Sequence, residues 1–372
     1  MKNHFTVQIY TGEIHSAPQP LDIPALISKF EQIYQKAHLD CVMIGENPDA
    51  EIDELADYLR QRGTDVYLWL SVFSGHRGLS ALVNPQNKPV RQDYDPDDEK
   101  FVFGCPGNPE NIRYIKQIFE KYYQRRKYDG IFLDKIRFPG FSCGTEPVFT
   151  CFCPHCRANY PVSDRIQIGN GENPLGITGY GNLKYTLADK NLDDLFAYKA
   201  EAVTASLISL IAYFREKKYK IGLDLFAPFL SYFVGQDYAA LAPYADFIKP
   251  MFYRKTYAPA GLPFEIDKYA NAFGGSLQEI EKRRLYLYKM LQTSAIDMSF
   301  INREIKAMRS HIGTAKLYSG IEVNYHEKIA PVKASYIKEN IRMTENVDGF
   351  ALSWDLCGTP DENLKAALDA GE

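Results

Sequence analysis

Short apolar runs that alternate with period two recur along this chain, separated by stretches with the 3.6-residue apolar spacing of helices. The strand-like runs are residues 4–11, 41–45, 65–73, 128–139, 219–228, 247–253, 316–324 and 349–356. Helical spacing covers 20–39, 49–62, 108–126, 192–217, a short 238–244, 276–291, 299–311, 331–346 and 361–370, so one helix after the sixth strand is surplus to a strict alternation. No connection reads as a tight hairpin. Strands joined by helices lie parallel, and eight such units predict an α/β chain, a (β/α)8 barrel. Two polar stretches, 74–104 and about 140–190, exceed ordinary connections and are expected to be long loop insertions after the third and fourth strands. The whole chain, 1–372, is thus expected to be one barrel domain with a cysteine-containing insertion. The rival, an open doubly wound sheet, wants a glycine-rich phosphate turn after the first strand, and Thr11-Gly-Glu-Ile-His15 is not one. The glycines from Gly169 to Gly181 follow no strand and read as loop.

The fourth run, Tyr128-Asp-Gly-Ile-Phe-Leu-Asp-Lys-Ile-Arg-Phe-Pro139, carries chemistry at its end. Ile131 and Leu133 share one face, so Asp134 belongs to the other. The same rule places Gln8 and Tyr10, Trp69 and Ser71, Asp224, Lys249 with Met251 and Tyr253, Glu322 with Asn324, and Ser353 with Asp355 on inward faces. Trp354 falls outward unless a bulge turns it into the mouth. Four acids, Asp134, Asp224, Glu322 and Asp355, therefore stand late in four strands, at the face where such barrels hold their active sites. A single inward acid reads as half of an ion pair, with Lys249 or Arg137 as partner. Several are costly to bury unless the site is polar and used.

The segment 129–139 resembles the fourth-strand motif of glycoside hydrolase families with TIM barrels, where an Asp is followed by Arg-Phe-Pro or Arg-Tyr-Pro. Gly222-Leu-Asp-Leu-Phe226, then Val234-Gly-Gln-Asp237 and Asp246-Phe-Ile-Lys-Pro-Met-Phe-Tyr253, are similar to the fifth strand, Gly-Gln turn and sixth strand of the same families. The resemblance covers residues 128–255; beyond them only the strand count agrees. It points towards the α-amylase type of barrel and implies an O-glycosyl hydrolase acting on an oligo- or polysaccharide. That type carries an Asp on strand four, an acid/base on strand five and a further acid on strand seven, positions held here by Asp134, Asp224 and Glu322. This chain departs from it in having Asp on strand five, Glu on strand seven, and Phe132 where that type has Arg. Glycoside hydrolysis needs one protonated and one ionised carboxyl flanking the bond. Asp134 is then the expected nucleophile or ion-pair stabiliser and Asp224 the general acid/base, with Glu322 the second choice for the acid. Asp355, Lys249, Asn324, Tyr253 and Arg137 are candidates to bind sugar hydroxyls. Trp69, Trp354 and Tyr10 are candidates to stack on a ring, or to fill core.

Cys143 and the cluster Cys151-Phe-Cys-Pro-His-Cys156 fall in the second insertion. The Cys153-x-x-Cys156 spacing is that of a zinc knuckle, and Cys143, Cys151, Cys153 and Cys156 make a four-thiolate set, with His155 in reserve. Disulfides and free thiols are the alternatives. Cys41, Cys105 and Cys357 read as isolated. No cofactor is implied for catalysis, since His-Glu-x-x-His, phosphate-loop and Gly-x-Ser-x-Gly patterns are absent. The net charge of -4 offers no basic footprint for nucleic acid, and the basic runs at 125–127 and 281–284 read as solvated faces. No run reaches the roughly 18 apolar residues of a membrane span, and residues 5–10 read as a strand rather than a leader. The expectation is a cytoplasmic protein if the chain is full length, or an exported one whose signal has been removed. Aromatic content of 13% suits a carbohydrate site but serves a core equally well. Two further readings stay open: a barrel that binds carbohydrate without cleaving it, and a lyase or esterase using a base such as Tyr253 or His326.

Overall fold

The computed structural model describes residues 3–92, 101–160, 166 and 168–371. Its strands are β1 (His4–Tyr10), β2 (His38–Gly45), β3 (Asp65–Ser71), β4 (Gly130–Asp134), β5 (Ile177–Gly181), β6 (Lys184–Leu187), β7 (Lys220–Phe226), β8 (Phe247–Met251), β9 (Lys316–Glu322), β10 (Tyr325–His326), β11 (Ala330–Pro331) and β12 (Gly349–Ser353). Eight close a barrel in the order β1-β12-β9-β8-β7-β4-β3-β2, with parallel ladders. This is the (β/α)8 barrel read from the sequence.

The period-two alternation sorts the strands as expected. Val7, Ile9, Val42, Ile44, Leu68, Leu70, Ile131, Leu133, Leu223 and Leu225 are buried in the cluster that extends over the helices. A separate inner cluster of Cys41, Met43, Tyr67, Phe132, Phe247, Tyr318 and Ala351 fills the barrel's lower half. Phe132 stacks on Phe247 with centroids 5.8 Å apart. Space for these rings comes from glycine. A Cβ at Gly222 would lie 2.2 Å from Phe247 Cζ, and one at Gly130 would lie 2.3 Å from Tyr67 Cε1, so neither strand tolerates a side chain there without displacing the plug.

Local capping sets the helix starts. Asp22 accepts from the Ala25 amide at 3.0 Å ahead of the helix Ile23–Lys36, and Asn108 accepts from the Glu110 amide at 3.0 Å, with Pro109 at the first helical position of Pro109–Tyr122. Three helices, Leu262–Asn271, Leu277–Met290 and Met298–Arg309, separate β8 from β9, so two rather than one are surplus to a strict alternation; Leu262–Asn271 is the helix the apolar spacing did not reveal. The helix Lys190–Glu216 is long and apolar enough to cross a membrane on length and composition alone. Here it buries Leu195, Val203, Leu207, Leu210 and Phe214 as a core helix of the barrel's outer layer.

Two local expectations are corrected. The stretch after Gly169 is not all loop: β5 and β6 form an antiparallel hairpin. Its glycines hide the strand, and packing of the tyrosines between them decides it. Tyr180 donates to Glu304 Oε2 at 2.7 Å, and the Tyr185 ring stacks on Phe233 at 4.8 Å. The second hairpin, β10–β11, follows β9. Of the two expected insertions, residues 93–100, 161–165 and 167 lie outside the described residues. The described part of the first is tied down by bridges between Ser74 and Phe103, Ala81 and Gly104, and Val83 and Pro89.

Candidate active site

The parallel register between β4 and β7 pairs Leu133 with Leu223. The next residue on each strand is an acid, so Asp134 and Asp224 stand side by side at the C-terminal rim. Asp134 sits beside Ser71 of β3, two residues beyond the Trp69–Phe132 pair. Trp69 Nε1 donates to Asp134 Oδ2 at 3.0 Å and the Lys135 amide donates to Oδ1 at 2.5 Å. Lys135 itself adopts the left-handed region, φ 52°. Both carboxylate oxygens of Asp134 thus accept from fixed donors.

Asp224 is placed differently. It pairs in register with Lys249 of β8, and Lys249 Nζ lies 2.9 Å from Asp224 Oδ2 with both side chains almost completely buried. Burial, reinforced by the negative charge of Asp134 and opposed by Lys249, pushes the Asp224 carboxyl up to about 7. Burial pulls Lys249 downwards, but Asp224 and Tyr253 outweigh it and hold the lysine charged. Burial also raises the Tyr253 hydroxyl to about 12. Asp134 and Asp224 therefore differ in setting: one carboxyl is half-buried and fully hydrogen-bonded, the other buried and disposed to keep a proton near neutrality.

Both acids line a cavity of about 530 Å³ at the barrel mouth, within the size range of ligand sites. Tyr10, Trp69, Arg137, Tyr253, Asn324, Trp354 and Asp355 line it too. Lys249 lies beneath it, holding Asp224. Trp354 lines the mouth, so the inward alternative holds over the outward position that strict alternation gives. Tyr10 and Trp69 meet edge to face at 6.1 Å. Asn324 is spent on structure: Oδ1 accepts from the Trp354 and Asp355 amides at 2.6 and 2.9 Å, and Nδ2 donates to the Asp355 carbonyl at 2.6 Å. Asp355 in turn accepts from the Tyr10 and Cys357 amides at 3.2 and 3.1 Å, and burial raises its pKa. These two residues build the wall that carries Trp354. Arg137 is buried between the rings of Phe103 and Phe226, 4.3 and 4.2 Å from their centroids, and donates to the Phe138 carbonyl at 3.1 Å. Burial lowers its pKa.

Three buried polar atoms of cavity-lining residues have no hydrogen-bond partner among the described residues: Gln8 Oε1, Asp224 Oδ1 and Thr256 Oγ1. Buried polar groups are normally paired, so these three atoms are exceptions, and all belong to residues that line the same cavity. Gln8 was legible as inward-facing. Thr256 was not, because it lies in the loop after β8, where alternation has no force.

Glu322 does not join this site. Its carboxyl is buried, accepts from the Lys255 amide at 2.6 Å and the Tyr336 hydroxyl at 3.1 Å, and does not line the cavity. The loop after β8 and the helix Ala334–Met343 capture it, so strand parity misassigns it as a mouth acid. Burial raises it to about 7, a structural consequence of its enclosure.

The cysteine expectation is likewise revised in one member. Cys105, Cys151, Cys153 and Cys156 gather with Sγ atoms within 4.8 Å of one another, all buried, a set able to hold a metal ion. Cys143 is elsewhere, its Sγ 3.8 Å from the Phe101 carbonyl, and His155 is exposed. Cys105, remote in sequence, is brought in by the end of the first insertion; no spacing rule points to it.

No protein-family profile matches the sequence, and no curated protein matches it. Solved structures do. The glycoside hydrolase domain of PgaB (BpsB) from Bordetella bronchiseptica is 14% identical with a TM-score of 0.58, the match covering 100% of this chain and 97% of that one. The β-galactosidase of the psychrophilic Marinomonas ef1 is 12% identical with a TM-score of 0.58, and the chain spans 59% of its length. A cold-adapted β-galactosidase from Rahnella sp. R3 is 13% identical with a TM-score of 0.51, over 55% of that chain. At these identities the likeness is one of fold: the chain is a closed (β/α)8 barrel built like those of glycoside hydrolases.

Proposed function

We propose that the protein is a glycoside hydrolase that cleaves an oligo- or polysaccharide with Asp134 and Asp224. The observation that carries this reading is the pairing of two carboxyls of opposite setting on adjacent strands in one aromatic-lined mouth. Asp134, held by Trp69 and the Lys135 amide, is the nucleophile; it attacks the anomeric carbon and forms a glycosyl ester. Asp224 donates its proton to the departing glycosidic oxygen, then removes a proton from the water that hydrolyses the ester. Lys249 fixes Oδ2 of Asp224 and leaves Oδ1 to carry that proton. Neighbouring parallel strands are about 4.8 Å apart. In-register acids on such strands suit the roughly 5–5.5 Å separation of retaining enzymes better than the roughly 6.5–9.5 Å of inverting ones. Trp69, Trp354 and Tyr10 offer flat apolar faces for sugar rings.

The test is hydrolysis of a panel of polysaccharides and aryl glycosides by the wild-type chain, Asp134→Asn and Asp224→Asn. Asp134→Asn is expected to lose at least about a thousandfold in kcat/KM, and Asp224→Asn to lose about 10²–10⁴-fold on natural linkages while sparing aryl glycosides whose leaving group needs no proton. Proton NMR of the first-formed product should show the anomeric configuration retained. Full activity in both variants refutes the assignment. Glycan binding by the wild type without turnover replaces hydrolysis with a carbohydrate-binding barrel.

A further inference from the structure

We infer that Cys105, Cys151, Cys153 and Cys156 bind one zinc ion, and that this ion sets the wall of the barrel mouth by clamping the loop after β3 to the insertion after β4. A tetrahedral zinc with Zn–S bonds of about 2.3 Å separates its sulfurs by about 3.8 Å. Here Cys105 Sγ lies 3.9 Å from Cys153 Sγ and 3.4 Å from Cys156 Sγ, and Cys153 and Cys156 are 3.5 Å apart. Disulfide sulfurs would be about 2.05 Å apart, and all four thiols are free. Two backbone amides already point at one of the sulfurs. Val83 donates to Cys151 Sγ at 3.3 Å and Cys153 donates to the same atom at 3.4 Å, the outer-sphere support that a thiolate ligand takes. Zinc displaces the thiol protons and involves no change of oxidation state.

The ligand origins give the site its consequence. Three sulfurs come from 151–156 and the fourth from Cys105, while Val83 brings in a third stretch of loop. Just before Cys105 stand Phe101, which lines the mouth cavity, and Phe103, whose ring covers Arg137. A metal at Cys105 therefore fixes one side of the mouth. Its presence does not depend on which reaction the mouth performs.

The full-length protein, purified without chelator, is expected to contain one zinc per chain by mass spectrometry of its metal content. An organomercurial should release that zinc as it titrates the four ligand thiols. Cobalt in place of zinc should give tetrahedral visible bands and a strong thiolate charge-transfer band. Cys105→Ser should lose or alter that spectrum, and Cys143→Ser should leave it unchanged. Both tryptophans of the chain, Trp69 and Trp354, line the mouth, so chelator treatment of the wild type should shift their emission and readdition of zinc should restore it. Metal-free protein with two intact disulfides by mass, iron in place of zinc, or a cobalt spectrum dependent on Cys143 rather than Cys105 overturns the assignment. An emission spectrum indifferent to zinc removal overturns the clamp. Because the wild type carries the metal and fluorescence measurements, misfolding of Cys105→Ser leaves both decisions intact.

Discussion

Replacing Lys249 with Met should turn the mouth into a measurable proton trap. The lysine and Asp224 meet at 2.9 Å with 0% and 3% of their side chains exposed, and losing one partner of such a pair leaves an uncompensated charge. Asp224 has a remedy, which is to keep its proton in the folded state. Its folded pKa of about 7 already exceeds the ordinary value of 3.8 with the lysine in place, and without the lysine it is at least that high. A group whose folded pKa is raised stabilises the protein most below its unfolded pKa, and that stability is lost as pH rises towards the folded value. The slope is about 1.36 kcal/mol per pH unit. Relative to the Lys249→Met/Asp224→Asn double variant, which lacks the titrating group, Lys249→Met should be weaker by about 2 kcal/mol at pH 5.5 and about 4 kcal/mol at pH 7. The second figure falls within the about 3–5 kcal/mol range for broken buried pairs. Urea unfolding of both variants across this pH range measures the difference. A gap that does not change between pH 5.5 and 7 refutes proton uptake by Asp224, and a gap below about 1 kcal/mol at pH 7 refutes the burial of its charge.

The remaining expectations concern the reaction. Asp224 must be protonated to donate, so kcat/KM should fall as pH rises through about 7; a pH–rate profile flat to pH 9 would exclude Asp224 as the acid. Trp69→Phe keeps an aromatic face but removes the Nε1 bond to Asp134. A hydrogen bond to a charged group contributes about 1.5–3 kcal/mol, so kcat should drop about ten- to a hundredfold with sugar binding little changed; an unchanged kcat would show that the bond does not orient the nucleophile. Glu322→Gln should keep kcat within about twofold, because its partners are the Lys255 amide and Tyr336 rather than the mouth. A loss equal to that of Asp134→Asn would return the role to Glu322.

The barrel is legible in the sequence because each strand buries one aliphatic face, and Ile131 with Leu133, or Leu223 with Leu225, fixes the parity that sends Asp134 and Asp224 inward. Parity works where the ladder holds both neighbours in register. It fails at the last residue of β9, where Glu322 meets the Lys255 amide of a crossing loop and the Tyr336 hydroxyl of a helix. Asn324 reads as a sugar ligand by position, yet its amide group is consumed by the backbone of residues 354–355, a use no local pattern announces. Cys153 and Cys156 reveal themselves by spacing, whereas Cys105 enters only through the path of the first insertion. The β5–β6 hairpin is masked by Gly179 and Gly181, residues poor in strand propensity, and is made by the packing of Tyr180 and Tyr185.

The ring of Met43, Tyr67, Phe132, Phe247 and Tyr318 below the acids has a bearing on traffic. It makes the barrel a cul-de-sac. A glycan cannot be threaded through this molecule from one end to the other, and whatever enters past Trp69 and Trp354 must leave by the same doorway. A long polymer would have to lie across the rim or present one terminus to it, and the released fragment and the remaining chain would share a single exit. On the proposed reaction, Trp69, Trp354 and Phe101 would stand on the path of product departure as well as of capture.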